Sequence, residues 1–332
     1  MVPAALASSV LYIVLCGVAR IGMGSIEVGS AAGYLGKFLS EELRLRGRKV
    51  IVGKLGRLEL GDGRPVRIAG VINVSPESFY KGSVVRPEEA GGVAVRMVEE
   101  GAELVDIGGR STAPYLRTDI PLEEEVKRVR EAVKSVKDAV NVTVSVDTFR
   151  ARVAEEALRL GAEVVNDVTG LRDDEGMIRV LKEYRPSLIV CAREVKPGVG
   201  RPIDRVVRAL AETLELLRRI DYDIEKVVVD PCIGFFRYPD IPWYVWDLSV
   251  IASLREMRTL GRPIAIGVSR KSFIGVLTGR DKPEERLYGS LALTAIAVLN
   301  GANMVRTHDV LPTKDAVRAI EGYVRYAGQQ LT

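Results

Sequence analysis

Eight short apolar runs in this sequence each end on residues that can bind or move protons: Asn73, Asp106, Asp147, Asn166, Cys191, Asp230, the triplet Ser269-Arg270-Lys271 and the quartet Arg306-Thr307-His308-Asp309. The chain has five asparagines and two of them stand here, as does its one histidine, His308. An Asp or Asn after a strand often caps the next helix, which serves for any one position but not for the set. Asp147, Asn166 and Asp230 are acceptors, costly to bury unless donors meet them. A flat heterocycle with an amino-amidine edge offers a carboxylate paired N–H groups, as guanidinium does. Lys271 supplies a cation for a ring carbonyl or nitrogen. Arg306 and His308, two residues apart on a strand, project to one side and suit a phosphate. Asn73 and the loop Gly108-Gly109-Arg110-Ser111-Thr112 add neutral donors and backbone N–H groups. One histidine and no cysteine pair argue against zinc, whereas Mg²⁺ held by oxygen stays open.

A scaffold must gather these residues. The runs at 66–73, 103–107, 142–146, 163–165, 188–190, 226–229, 263–267 and 303–305 are short and rich in β-branched residues. Helical patterns at 88–100, 122–136, 151–160, 176–184, 203–219, 248–260, 283–300 and 312–326 follow them in turn. Strands of this kind, alternating with amphipathic helices, are parallel and buried on both faces. Eight units predict a closed (β/α)₈ barrel of the TIM type, in which every strand end named above converges on one mouth. A doubly wound open sheet is the alternative, weakened because no Gly-rich dinucleotide fingerprint follows the first strand. Ahead of the barrel, residues 50–60 alternate around Gly53 and Gly56 and meet a Gly61-Asp62-Gly63 turn, which reads as a hairpin. Residues 33–46 carry one apolar helical face. The resulting division is an N-terminal extension over 1–53 and a barrel over 54–332.

Bulk properties narrow the partners. A length of 332 residues permits two domains or one barrel, and 48 basic against 44 acidic residues give +4, spread along the chain. That balance argues against a nucleic-acid partner and allows a local basic pocket. Cys16, Cys191 and Cys232 are too few and too scattered for a disulfide framework, so a reducing cytoplasm is expected. Glutamine is confined to positions 329 and 330 while Glu, Arg and Lys abound, which leans towards a thermophilic source. The apolar stretch 4–18 is short for a membrane span and lacks a basic start. It reads as a packed segment, as the product of a start placed ahead of Met23, or as an export signal. Trp243-Tyr244-Val245-Trp246 reads as packing or a subunit contact rather than a cofactor box, and a homodimer is expected.

The same positions carry a family resemblance. Gly70-Val71-Ile72-Asn73-Val74-Ser75-Pro76-Glu77-Ser78-Phe79 resembles the signature that opens the barrel of dihydropteroate synthases. So do the segments Asp106 to Pro114, Ser145-Val146-Asp147-Thr148, Asn166-Asp167, Asp230 to Phe235, Gly267 to Gly275 and Arg306-Thr307-His308-Asp309. Seven elements in register span roughly residues 54 to 326. The resemblance implies a transferase that joins a dihydropterin methyl pyrophosphate to p-aminobenzoate or a related arylamine in folate biosynthesis, with Mg²⁺. It implies that Asp147, Asn166, Asp230 and Lys271 hold the pterin, and that Asn73, Thr112, Arg306 and His308 hold pyrophosphate and its metal, with Asn73 the metal ligand. Ser269, Arg270 and Phe235 then form the arylamine side, while Asn73, Thr112, Lys271, Arg306 and His308 carry the chemistry.

Departures fall mainly on the amine side. Arg110 stands where the family has an acidic residue, Ala113 where it has arginine, and Cys232 where it has glycine. The first loop runs Phe79-Tyr80-Lys81-Gly82 without the family's Asp-Gly-Gly, and the fifth strand ends Val190-Cys191-Ala192 rather than Met-His-Met. Two other functions fit part of the pattern. A methyl-tetrahydropterin:corrinoid methyltransferase would share the pterin residues but leave Asn73 and Arg306 to Asp309 unexplained. A non-catalytic pterin-binding protein would explain the altered loops.

Overall fold

The structure is a computed structural model, and it describes residues 50–78, 80–112 and 118–329. The expectations for the apolar stretch, the helix at 33–46 and Phe79, Ala113 and Pro114 lie outside the described residues. Residues from Val50 onward form one compact unit.

A hairpin comes first, β1 (Val52–Leu55) and β2 (Leu58–Gly61), paired Val52↔Gly61 to Leu55↔Leu58. Gly56, at φ 55°, makes the left-handed turn between them. Eight parallel strands follow: β3 (Arg67–Asn73), β4 (Leu104–Gly108), β5 (Thr143–Asp147), β6 (Val164–Asp167), β7 (Ser187–Cys191), β8 (Val227–Asp230), β9 (Ala265–Ile266) and β10 (Met304–Thr307). They are hydrogen-bonded in the order β8-β7-β6-β5-β4-β3-β10-β9, and a parallel bridge between Val229 and Ile264 joins the two ends. This is the expected (β/α)₈ barrel. Around it lie α1 (Ala90–Glu100), α2 (Leu122–Ala139), α3 (Ala151–Arg159), α4 (Gly176–Tyr184), α5 (Pro202–Arg219), α6 (Trp243–Ala252), α7 (Ser272–Thr278), α8 (Leu287–Leu299) and α9 (Val310–Gln329). Among the described residues no helix is long and apolar enough to cross a membrane.

The period-two alternation of each strand sets the interior. Outward residues such as Ile72, Val105, Ile107, Val144, Val146, Val165 and Val305 pack under the helices. Inward residues form layers. The lowest holds Ala69, Leu104, Val164, Ile189, Val228, Ala265 and Met304, and Leu55 and Leu60 of the hairpin plug it from beneath. The hairpin is fastened there by Arg258, which donates to both oxygens of Asp62 at 2.8 Å, and by Arg262, which donates to the Val52 carbonyl at 2.6 Å. Two residues further along the strands the inward positions turn polar: Asp106, Ser145, Asn166, Asp230 and Arg306. The polar layer therefore rests on an apolar floor.

Two helices differ from the expectation. Residues 272–278, read only as part of a motif, form α7, and α6 begins at Trp243 rather than at 248. The hairpin also starts two residues before the expected boundary at 54.

Candidate active site

The mouth of the barrel holds a cavity of about 130 Å³. Of the residues expected from the sequence, Asn73, Thr112, Asp147, Asp230, Phe235, Ser269, Lys271, Arg306 and His308 line it. Asn166, in the same polar layer as Asp230 and Arg306, is fully buried and does not reach the cavity wall; its Nδ2 donates to Asp106 Oδ2 at 3.0 Å. Arg270 does not reach the wall. Its guanidinium donates to Asp309 at 2.8 and 2.6 Å and to the carbonyls of Pro283 and Glu284, so the arginine expected on the arylamine side instead braces the loop beneath it.

Arg306 sits at the centre. It donates to Asp106 Oδ2 at 2.9 and 2.7 Å and to Asp147 Oδ2 at 3.0 Å, and lies 3.8 Å from Asp230. The β3–β4 register sets Val71 opposite Asp106, and β10 pairs with β3, so a strand-borne arginine can span the lumen to β4 and β5. The side chain assigned from sequence to pyrophosphate thus rests against Asp106 and against Asp147, which was expected to hold the pterin. Asp106, a strand-end residue given no role in the sequence reading, is its main partner.

This concentration of acid in a dry layer leaves its mark. Burial, with the nearby Asp106 charge, pushes the Asp147 carboxyl up to about 7 against the pull of Arg306. Burial also raises Asp230, while Arg306, the Cys232 N–H and Lys271 draw it back. The Lys271 ammonium is pushed down to about 8 by burial, with Asp230 and Asp247 opposing. Its Nζ donates to the Ile233 carbonyl and stands 4.9 Å over the Phe235 ring. Asp106 Oδ1, Asp147 Oδ1, Asp230 Oδ2 and Asn166 Oδ1 are buried and accept no hydrogen bond among the described residues. Asp147 and Asp230 belong to the cavity wall and Asp106 and Asn166 are buried behind it, and unmatched acceptors so placed call for a donor-rich ligand.

On the other wall His308 Nδ1 lies 3.0 Å from Ser269 Oγ, and Nε2 lies 3.4 Å from Asn73 Nδ2. The ring is half-buried and desolvation lowers its pKa to about 4, so the imidazole is neutral and offers one donor and one acceptor. Tyr80 of the first loop packs edge-on against it at 5.3 Å. The second loop is held from behind: Glu125, buried on α2, accepts from Thr148 at 2.8 Å and pairs with Arg150 at 3.1 Å and Arg110 at 3.8 Å. Arg110 covers the Phe149 ring at 4.4 Å. Beyond Arg110, Ser111, Thr112, Val168 and Phe235 a second cavity of about 510 Å³ adjoins the first.

Two features escaped the sequence reading. Asp247, on α6 in the cavity wall, accepts the Gly234 N–H at 2.8 Å while its Oδ2 accepts no hydrogen bond among the described residues. Burial pushes it up to about 6. No motif marks it, because its neighbours in the helix are almost all apolar. Cys191 and Cys232, expected to be unpaired, form a disulfide across the cavity wall, with Cα atoms 5.1 Å apart. They lie 41 residues apart in sequence, a separation from which no pairing can be read.

Residues 69–308 match the family model for pterin-binding enzymes. The chain is similar to dihydropteroate synthases of Clostridium beijerinckii (31% identity, 82% of this chain and 99% of that one) and Mycobacterium leprae (35%, 80% and 96%). Among solved structures it resembles dihydropteroate synthase of Burkholderia cenocepacia complexed with 7,8-dihydropteroate (32% identity, TM-score 0.72, 85% of this chain and 100% of that one). It also resembles that of Xanthomonas albilineans with 4-aminobenzoic acid (32%, TM-score 0.73, 83% and 98%).

Proposed function

The chain belongs to the dihydropteroate synthase family of pterin-binding enzymes, and on that premise we propose that it condenses a dihydropterin methyl pyrophosphate with p-aminobenzoate or a related arylamine. Pyrophosphate is the leaving group. The observation that carries this reading is the set of unmatched acceptors on Asp106, Asp147, Asp230 and Asn166. The amino and ring N–H groups of a pterin complement them, and Lys271 meets the ring carbonyl or nitrogen.

In this reading the pterin edge takes up the carboxylate contacts, and Arg306 is shared between them and the departing anion. His308, Asn73 and Thr112 complete the anion's surroundings with neutral donors. The electron-rich ring supports a cationic methylene as the C–O bond breaks, and the amine nitrogen forms the new bond and sheds a proton. Catalysis then depends on leaving-group stabilisation and alignment more than on a strong base. Ser269 and Phe235 flank the amine, and the adjoining cavity leaves room for a substituted one.

Mg²⁺ suits this donor set in one way. Asn73 Nδ2 donates to Ser83 at 2.8 Å, which leaves Oδ1 as a neutral oxygen at the cavity. No group of three His, Cys, Asp or Glu side chains among the described residues could hold a metal. Asn73 would therefore be one ligand of an ion held mainly by pyrophosphate oxygens and water, where it would neutralise the leaving group. We assign the hairpin and barrel to the catalytic unit, with the boundary expected at 54 moved back ahead of β1, and the residues before it to an extension; we place the enzyme in the cytoplasm and take it to act as a homodimer.

A pyrophosphate-release assay with the pterin pyrophosphate and a panel of arylamines tests the function. Turnover that needs both substrates is expected. Pterin binding without pyrophosphate release from any amine would favour the non-catalytic reading, and methyl transfer from a methyl-tetrahydropterin to a corrinoid would favour the methyltransferase.

A further inference from the structure

We propose that the Cys191–Cys232 disulfide is a positioning device for the pterin site, a strap that holds the turn after β8 so that it presents its N–H to Asp230. The proposal rests on the pterin reading above.

Cys191 ends β7 and is the register partner of Asp230, which ends β8. Cys232 lies two residues beyond Asp230, and its N–H donates to Asp230 Oδ1 at 2.7 Å. To do so Cys232 adopts φ 62°, in the left-handed region that side chains resist. Glycine, which the resembling motif carries there, enters that region freely. A cysteine needs something to hold it, and the only other polar contact of its sulfur among the described residues is with the Val168 carbonyl at 3.8 Å. The bond to Cys191 supplies the hold, tying the turn to the neighbouring strand at a Cα separation that a disulfide spans. Both residues are only 2% exposed and both line the cavity, so the strap is part of the binding wall. The Asp230 main chain is tied to the same place, since its carbonyl accepts the Ala192 N–H at 2.9 Å. A relaxed turn would leave a second Asp230 oxygen without a donor and displace Ile233, whose carbonyl accepts Lys271.

The bond forms by exchange with a small-molecule disulfide. One cysteine thiolate attacks it and expels a thiolate, giving a mixed disulfide. The second cysteine thiolate then attacks the protein sulfur and expels the other half. The two cysteines lose two electrons and two protons, and the small disulfide becomes two thiols. A dithiol reverses the exchange.

The test measures binding of 6-hydroxymethylpterin by calorimetry to the full chain, as oxidised by glutathione disulfide and as reduced by dithiothreitol. Affinity should fall by roughly tenfold on reduction, the order expected when a strained backbone position relaxes, and return on reoxidation. Cys191→Ala should bind like the reduced protein whatever the reductant. Adding Cys232→Gly to that variant should restore affinity, because glycine holds the left-handed turn unaided; a purely structural cross-link would show no such rescue. Iodoacetamide labelling of denatured, never-reduced protein should mark Cys16 alone. Labelling of all three cysteines, or equal affinity in both redox states, would overturn the strap while leaving pterin binding intact. Absence of pterin binding in either state would overturn the pterin reading itself, and the strap with it.

Discussion

Arg306 meets three carboxylates with one guanidinium, and that imbalance sets the chemistry of the pocket. Asp106 takes two of its hydrogen bonds and Asp147 one, while Asp230 stays at 3.8 Å. Burial, with the Asp106 charge beside it, raises Asp147 to about 7, and burial lowers Lys271 to about 8 against the pull of Asp230 and Asp247. A donor-rich ring binds the carboxylate form of Asp147, so affinity should rise as pH climbs through about 7. The ring carbonyl or nitrogen binds the ammonium form of Lys271, so affinity should fall as pH passes about 8. Calorimetric titration of 6-hydroxymethylpterin across this range should give a narrow bell, whereas a flat profile would remove these two groups from the pterin contact. Asp247 helps keep Lys271 charged, and Asp247→Asn should move the alkaline limb to lower pH with little change in the acid limb. An unmoved limb would leave Asp247 as a holder of the Gly234 turn alone.

At the scale of elements, β1 and β2 close the floor on which the polar layer stands. Leu55 is fully buried among Leu104, Val164, Ile189 and Val228, and the space beneath is filled by nothing else in that cluster but Leu58 and Leu60. Leu55→Ala should cost about 2–5 kcal/mol of stability, as a buried leucine does when the cavity cannot collapse. Pterin affinity should hardly change, since the site is at the other end of the strands. Denaturant unfolding checks the first expectation and calorimetry the second. A loss below about 1 kcal/mol would mean that the hairpin is only a surface flap. The hairpin was legible beforehand from the alternation around Gly53 and Gly56, and the barrel from the short β-branched runs that each end in a polar residue, but that the hairpin plugs the barrel was not. The alternation also places Arg306 and His308 on one side. It cannot say what faces them, because Asp106 and Asp147 reach Arg306 only through strand register and barrel closure. The same limit hid the cysteine pair. The start of α6 was hidden differently: apart from Asp247 and Ser249 its residues are apolar or aromatic all round, so no stripe separates helix from loop.

At the scale of the molecule, the exposed residues of α7 and α8 support the proposed homodimer. In α8 the small polar residues Ser290 and Thr294 are buried, while Tyr288 is 82% exposed and Ile296 44%. On the neighbouring α7, Val276 and Leu277 are 49% and 42% exposed. An amphipathic surface helix would reverse this arrangement. Apolar residues exposed on adjoining helices mark an association surface, and the simplest closed assembly is an isologous dimer that covers it with its own copy. Of these helices only the first residues of α7, Ser272 and Phe273, reach the cavity, while Val276, Leu277 and Ile296 are not part of its wall, so pairing through them would leave the pterin site open. Light scattering should therefore return twice the 36.3 kDa chain mass for the wild type. Leu277→Glu combined with Ile296→Glu should return the single mass, because each charge would have to be buried against its own symmetry mate or a neighbour. Circular dichroism and pterin binding should remain those of the folded barrel in that variant, which separates a broken interface from a broken fold. A wild-type monomer at micromolar concentration would sink the homodimer, and a double variant that stays dimeric would move the interface to another face.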